Sequence, residues 1–384
     1  LRRRWIRPYR AYRASLSGTR EAHRPGARQY TDTMLSHLTT AESPAADAPT
    51  AEAPAGVPER IGVLVVNLGT PASPSYFAVQ SYLREFLGDR RVIDTFRLIW
   101  LPILYGVVLP FRPVRTVRNY RKVWMHGGSP LAVYSKRLAE KVDLELQARF
   151  GDRLRVGLGM TYGKPSLADA IRTLVAQKVK RLLVLPLYPQ YCSSTTGSVF
   201  DRTCRALLRD AWQPEMRFVG SYYDNPGYID ALTESIEKHW TDIGERSHLM
   251  LSYHGIPAVY VTEGDPYQVQ AETTTRLVVA RLGLEEDQYS HCYQSRFGSV
   301  VWLQPYTEDT LKALTARGIR QVTVVSPSFA VDCLETLEEI AIEYRDKFRE
   351  MGGERLTMVP ALNDGDRHAQ VLADIAQHQL QGWL

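Results

Sequence analysis

Cysteine is scarce in this chain. There are four in 384 residues, Cys192, Cys204, Cys292 and Cys333, and none forms a C-x-x-C pair. That argues against a disulfide framework or a cysteine-built zinc site and predicts reduced thiols in a cytoplasmic protein. Long apolar runs are also missing. The longest, residues 98–110 (LIWLPILYGVVLP), has 13 residues, is bounded by Arg97 and Arg112 and is interrupted by Pro102. A membrane-crossing helix takes about 20 residues, so this segment is expected to be a buried helix or an apolar lip against a membrane or a greasy ligand. No apolar core of a secretory signal is visible near the start. Neither a Walker motif nor a G-x-G-x-x-G after a strand is present, which leaves nucleotide use with little support. The folded part also lacks a strong excess of either charge. The net charge is +5, but residues 1–33 hold nine arginines against Glu21 and Asp32, and the remainder is close to neutral. The basic balance is therefore no argument for nucleic-acid binding.

What is present is an alternation of short apolar runs and amphipathic stretches. The first methionine is Met34, so residues 1–33 read either as an upstream extension or as a disordered tail. Residues 39–57 are rich in Ala, Pro and Thr and read as a linker. Strands are predicted near 61–68, 153–159, 181–187, 216–221, 248–253, 288–293, 321–326 and 356–359. Helices are predicted near 75–87, 130–150, 165–179, 196–211, 226–243, 267–282, 307–317, 332–350 and 366–380. Continuous apolar strands separated by helices indicate parallel sheets covered on both faces. The fold class is α/β, with two doubly wound, Rossmann-like domains. The expected divisions are 1–57 as extension and linker, 58–213 and 214–363 as the two domains, and 364–384 as a helix returning onto the first.

In such sheets ligands sit beyond the carboxyl ends of the strands, and four loops there draw attention: residues 67–71 (NLGTP), 186–197 (PLYPQYCSSTTG), 252–257 (SYHGIP) and 326–335 (SPSFAVDCLE). His254 stands at a strand end, where an imidazole can accept a proton or ligate a divalent metal. Glu335 opens a helix. Asp332 and Glu335, three residues apart, fit a capping-box variant. Yet Glu335, Glu339 and Glu343 recur at four-residue steps, and like charges at that spacing are mildly destabilising. The row is either a solvated face or a line of oxygen ligands facing a cleft. The hydroxyl-rich start at residues 193–197 fits an anion site or plain capping.

Together these loops resemble the ferrochelatase family. The resemblance rests on NLGTP at 67–71, GGSP at 127–130, LPLYPQY at 185–191 with SSTTG after it, SYHGIP at 252–257, QSRFG at 294–298 and FAVDCLETLEE at 329–339, in order and in register. It implies two Rossmann-like domains with a porphyrin between them, and insertion of ferrous iron into protoporphyrin IX to form protohaem. His254 and Glu335 match the family's metal-ligand and proton-acceptor positions, and which does which stays open. Glu339 and Glu343 match its proposed metal or proton path. Leu68, Ser129, Tyr162, Trp302 and Phe329 match porphyrin-contacting positions, and the apolar stretch matches the lip over the cleft mouth, a place for peripheral membrane contact. No cysteine follows Cys333, so no family-type iron–sulfur cluster is expected, and Fe²⁺ enters as substrate. A chelatase for another metal or tetrapyrrole, including coproporphyrin, and a non-catalytic porphyrin carrier are the competing readings.

Overall fold

The computed structural model describes residues 60–384, apart from 209–211 and 299. The expectations for residues 1–57 lie outside the described residues. The chain folds as two parallel sheets, each wrapped by helices. In the first lobe the elements run β1 (Arg60–Thr70), α1 (Tyr76–Leu87), α2 (Arg97–Ile103), a π-helical turn (Leu104–Val108), α3 (Leu109–Val123), α4 (Pro130–Phe150), β2 (Leu154–Gly163), α5 (Leu167–Ala176), β3 (Val179–Pro186), α6 (Ser198–Leu207) and β4 (Glu215–Phe218). In the second they run α7 (Pro226–Ile243), β5 (His248–His254), α8 (Ala258–Thr262), α9 (Tyr267–Leu282), β6 (Tyr289–Gln294), α10 (Thr307–Ala316), β7 (Gln321–Val325), a π-helix (Glu335–Tyr344) continued by α11 (Arg345–Glu350), β8 (Arg355–Met358) and α12 (Asp366–Gln379).

The sheets have the strand orders β2-β1-β3-β4 and β6-β5-β7-β8, with every pairing parallel. The two-residue period of a strand explains why both faces must be covered. In β1, Val63 and Val65 meet Leu138, Val142 and Leu146 of α4, while Leu64 and Val66 meet Leu167, Ile171 and Leu174 of α5. The first of these apolar clusters continues through Ile236 of α7, Leu251 of β5 and Val278 of α9, so one layer of core serves both lobes.

β4 corrects the expected boundary at 213. Its Leu182–Met216 and Val184–Phe218 pairings with β3 place it on the first sheet. Sequence order alone does not say which sheet edge a short strand joins. α12 lies on the first lobe: Leu372 and Ala376 are buried beside α4, Lys141 pairs with Asp366 at 2.6 Å and Arg149 with Asp374 at 2.6 Å. Arg217 of β4 donates to the carbonyls of Gln379 and Gln381, and its guanidinium lies over the Trp383 ring.

Residues Arg97–Val123 form one helical segment of 27 residues, long and apolar enough by length and composition to cross a membrane. This is longer than the apolar run suggested, because α3 continues it through Arg112, Arg115, Arg118, Arg121 and Lys122. One side is tied to the lobe: Trp100, Leu104, Leu109, Val117 and Tyr120 pack with Val79, Leu83 and Tyr162, and Trp100 Nε1 donates to the Leu87 carbonyl at 2.8 Å. The other side leaves Leu98, Ile99, Tyr105, Val107 and Phe111 exposed.

Candidate active site

His254 is the last residue of β5, the central-type strand flanked by β6 and β7. Its backbone N–H donates to Ser328 Oγ at 3.2 Å, and its carbonyl accepts from Tyr267 Oη at 2.9 Å. Nδ1 lies 2.7 Å from the Gly255 carbonyl. A carbonyl can only accept, so Nδ1 carries the hydrogen in the neutral ring and Nε2 keeps its lone pair. Gly255 is required here by space: a Cβ would stand 2.8 Å from the Gln294 carbonyl and 3.2 Å from the Trp302 ring. The imidazole is flanked by Trp302 and Phe329, with ring centroids 6.5 and 6.2 Å away. Burial pushes its pKa below the ordinary value, and the Glu335 carboxylate pulls it partly back. Neutral imidazole is therefore the form present near pH 7.

Glu335 begins the π-helix that follows β7, the strand adjacent to β5. A wider i→i+5 turn of this kind recurs at functional sites. The Glu335 carbonyl accepts from Gln294 Nε2 at 2.9 Å, and Gln294 Oε1 accepts from Ser252 Oγ at 2.8 Å. Buried Gln294, at the end of β6, thus ties the glutamate's helix to the strand that carries His254. The expected capping box does not form. Asp332 turns inward instead, accepting from Thr336 Oγ1 at 2.9 Å, the Ala361 N–H at 3.3 Å and Asn363 Nδ2 at 2.7 Å. The helix start has no side-chain cap.

The carboxylate of Glu335 also meets the first lobe. A small recess is lined by Leu68, Thr70, Tyr82, Tyr120, Ser129, Cys333 and Glu335. Burial raises the Tyr82 and Tyr120 phenols, and the same carboxylate raises them further. Burial lowers the Arg112 guanidinium, with Glu335 opposing the shift, and Arg112 lies 4.7 Å over the Phe297 ring of the opposite lobe. Imidazole, carboxylate and apolar walls therefore converge where the two lobes meet.

The glutamate row divides. Glu339 accepts from the Ser295 N–H at 2.9 Å and from Ser295 Oγ at 2.5 Å. Burial raises its pKa to about 7 despite these bonds, with Glu335 and Glu343 adding to the rise. Glu343 pairs with Lys347 at 3.0 Å and lines an open polar cavity of about 590 Å³ between α3 and the π-helix. Glu338, which the sequence did not single out, is 5% exposed and accepts from Lys122 Nζ at 2.7 Å and Asn119 Nδ2 at 2.9 Å. Its place between like-charged neighbours hides that pairing, because the partner lies 216 residues earlier.

Of the expected porphyrin contacts, Leu68 and Ser129 line the recess beside Glu335, and Trp302 and Phe329 flank His254. Ser129 Oγ also caps α4 through the Ala132 N–H. Tyr162 is fully buried in the first lobe, where it donates to Asp89 at 3.1 Å and lies under the Arg202 guanidinium. The hydroxyl-rich turn Ser193–Gly197 does not hold a free anion site: the Ser193 N–H donates to Asp265 Oδ2 at 2.6 Å. A carboxylate of the second lobe already occupies that position.

Two parallel-sheet lobes that place an unprotonated imidazole nitrogen and a carboxylate at adjoining strand ends define a two-lobed α/β protein of the chelatase type. The chain belongs to the ferrochelatase family, whose sequence model matches residues 60–380. It is 45% identical over 326 residues to a ferrochelatase of Marinobacter nauticus, covering 85% of this chain and 88% of that one. It is 47% identical over 324 residues to a ferrochelatase of Teredinibacter turnerae, covering 84% and 88%. Among solved structures, the sirohydrochlorin chelatase SirB of Bacillus subtilis in complex with cobalt aligns with a TM-score of 0.49 at 9% identity, over 84% of this chain and 96% of that one.

Proposed function

We propose that this chain inserts Fe²⁺ into protoporphyrin IX to form protohaem, releasing the two pyrrole protons, as the last step of haem biosynthesis. The observation that carries the reading is the His254 ring, whose Nδ1–H is committed to the Gly255 carbonyl and whose Nε2 is left basic beside the Glu335 carboxylate. A free porphyrin carries two N–H groups, and each must lose its proton for the metal to sit among four nitrogens. A cleft that favours a bent ring exposes a nitrogen lone pair, which is preferential binding of the transition state. In this mechanism His254 Nε2 takes one proton, and Glu335 either takes the other itself or ligates the incoming ion while His254, having passed its first proton to solvent, takes the second. Glu339, with a pKa near 7, is suited to pass a proton outward toward Glu343. Among the described residues no three His, Cys, Asp or Glu side chains converge as a closed metal cage. Imidazole with carboxylate also accepts Co²⁺ and Zn²⁺, so selectivity depends on supply as well as geometry.

The porphyrin assigned is the less carboxylated protoporphyrin, in keeping with the exposed apolar residues Leu98, Ile99, Tyr105, Val107 and Phe111. The same residues suit a cytoplasmic protein resting peripherally on a membrane. The deciding experiment is anaerobic incubation with Fe²⁺ and either protoporphyrin IX or coproporphyrin, following loss of free-porphyrin fluorescence. Rapid loss with protoporphyrin is the expected result. Binding of porphyrin without loss would identify a carrier, and preference for coproporphyrin would reassign the substrate.

A further inference from the structure

The segment that delivers Glu335 is anchored at a point far along the chain. Asp332 is 3% exposed, and its backbone N–H donates to Asn363 Oδ1 at 2.7 Å, while Asn363 Nδ2 donates back to Asp332 Oδ2 at 2.7 Å. The other carboxylate oxygen accepts from Thr336 Oγ1 and the Ala361 N–H. Thr336 Oγ1 in turn accepts from the Cys333 N–H at 3.0 Å. Residues on both sides of Glu335 are therefore held to one carboxylate, and that carboxylate is held to Asn363.

Asn363 is itself fixed. Its φ is +48°, in the left-handed region that asparagine tolerates better than most residues. Its N–H donates to the Ala330 carbonyl at 3.0 Å, and its carbonyl accepts from Nδ1 of His368 at 2.7 Å. His368 is 1% exposed in α12. Among the described residues no charged side chain pairs with Asp332, and its hydrogen bonds both orient it and satisfy a buried carboxylate. The π-helix start, which lacks a cap of its own, takes its position from the loop after β8.

We infer that Asn363 is a positioning residue for metal insertion: paired with Asp332, it sets where the Glu335 carboxylate stands relative to His254. The inference rests on Glu335 acting on the metal or proton, as proposed above. Partners that orient a metal-ligating side chain typically account for about 10–100-fold in metal affinity or activity.

Asn363→Gly tests this, because glycine keeps the left-handed backbone and deletes only the amide. The expected result, in protein whose circular dichroism is unchanged, is a KM for Fe²⁺ raised about 10–100-fold with porphyrin affinity, read by fluorescence titration, within about twofold of wild type. A merely structural loosening would lower the active fraction and leave both KM values alone, or shift both together, and either outcome overturns the inference. Should Asn363→Gly fail to fold, the near-isosteric Thr336→Val is read by the same criteria, and an unchanged Fe²⁺ KM overturns it. Glu335→Gln separates the two levels. If that variant is inactive while Asn363→Gly behaves as wild type, only the positioning role falls. If Glu335→Gln turns over normally, the role of Glu335 falls and the inference falls with it.

Discussion

At the scale of single residues the important contrast is between two groups that burial shifts in opposite directions. Burial disfavours the charged form of each, so it lowers His254 and raises Glu339. For His254, activity should hold as pH falls past the ordinary imidazole value of about 6.5 and fail only below it. The acid limb of kcat against pH, measured anaerobically, checks this; a limb above that value would contradict it. His254→Ala is expected to abolish insertion while porphyrin still binds, read by stopped-flow fluorescence, and turnover near wild type would exclude Nε2 as the acceptor. Glu339 has a linkage consequence. Between the ordinary value of 4.5 and about 7 the folded state binds more protons there than the unfolded state, so this group lowers stability as pH rises through that window. Glu339→Gln removes the dependence. Its stability relative to wild type should rise from pH 5 to pH 8 by on the order of 3 kcal/mol at most, read as the pH slope in urea melts.

At the scale of elements, the helix carrying the glutamates is held from both sides. Ser295 binds Glu339, and Lys122 with Asn119 binds Glu338. Glu338 is nearly inaccessible, whereas its partner Lys122 is half exposed. Replacing Lys122 by Met leaves a buried carboxylate with one amide donor. The full cost of breaking a buried pair is several kcal/mol, and the solvent around Lys122 reduces it to about 1–3 kcal/mol. Urea denaturation of Lys122→Met checks the value. Most elements were legible beforehand: α4, α7 and α9 are found where the apolar periodicity put them. The π-helical start at Glu335 was not, because its geometry follows from Asp332 reaching residues 361 and 363 instead of capping its own helix. Local spacing favoured the cap; a distant partner changed the outcome.

At the scale of the whole molecule, α12 closes the fold by packing on the first lobe after the second is complete. Leu372 is fully buried among residues of α4 and α7. Leu372→Ala is expected to cost about 2–5 kcal/mol, with a single cooperative thermal transition because one apolar layer joins the lobes. Two separate transitions in calorimetry would contradict that coupling. The exposed apolar side of Arg97–Val123 belongs to the same scale. Replacing Leu98 and Phe111 by Ser should weaken cosedimentation with phospholipid vesicles, and unchanged cosedimentation would remove the proposed membrane contact.

By itself the sequence determined the alternation of strands and helices, the parallel character of both sheets and the loops where chemistry would sit. It did so because burial on two faces and strand-end geometry are local consequences of residue pattern. Six ordered motifs also pointed to the ferrochelatase family. Only the tertiary structure assigned β4 to the first sheet, buried Tyr162 in the first lobe, filled the 193–197 turn with Asp265 and turned Nδ1 of His254 onto the Gly255 carbonyl. The first three of those outcomes depend on partners distant in the chain. Hydrogen bonding and desolvation are decided by which groups meet in space, and spacing along one strand or helix carries no record of that meeting.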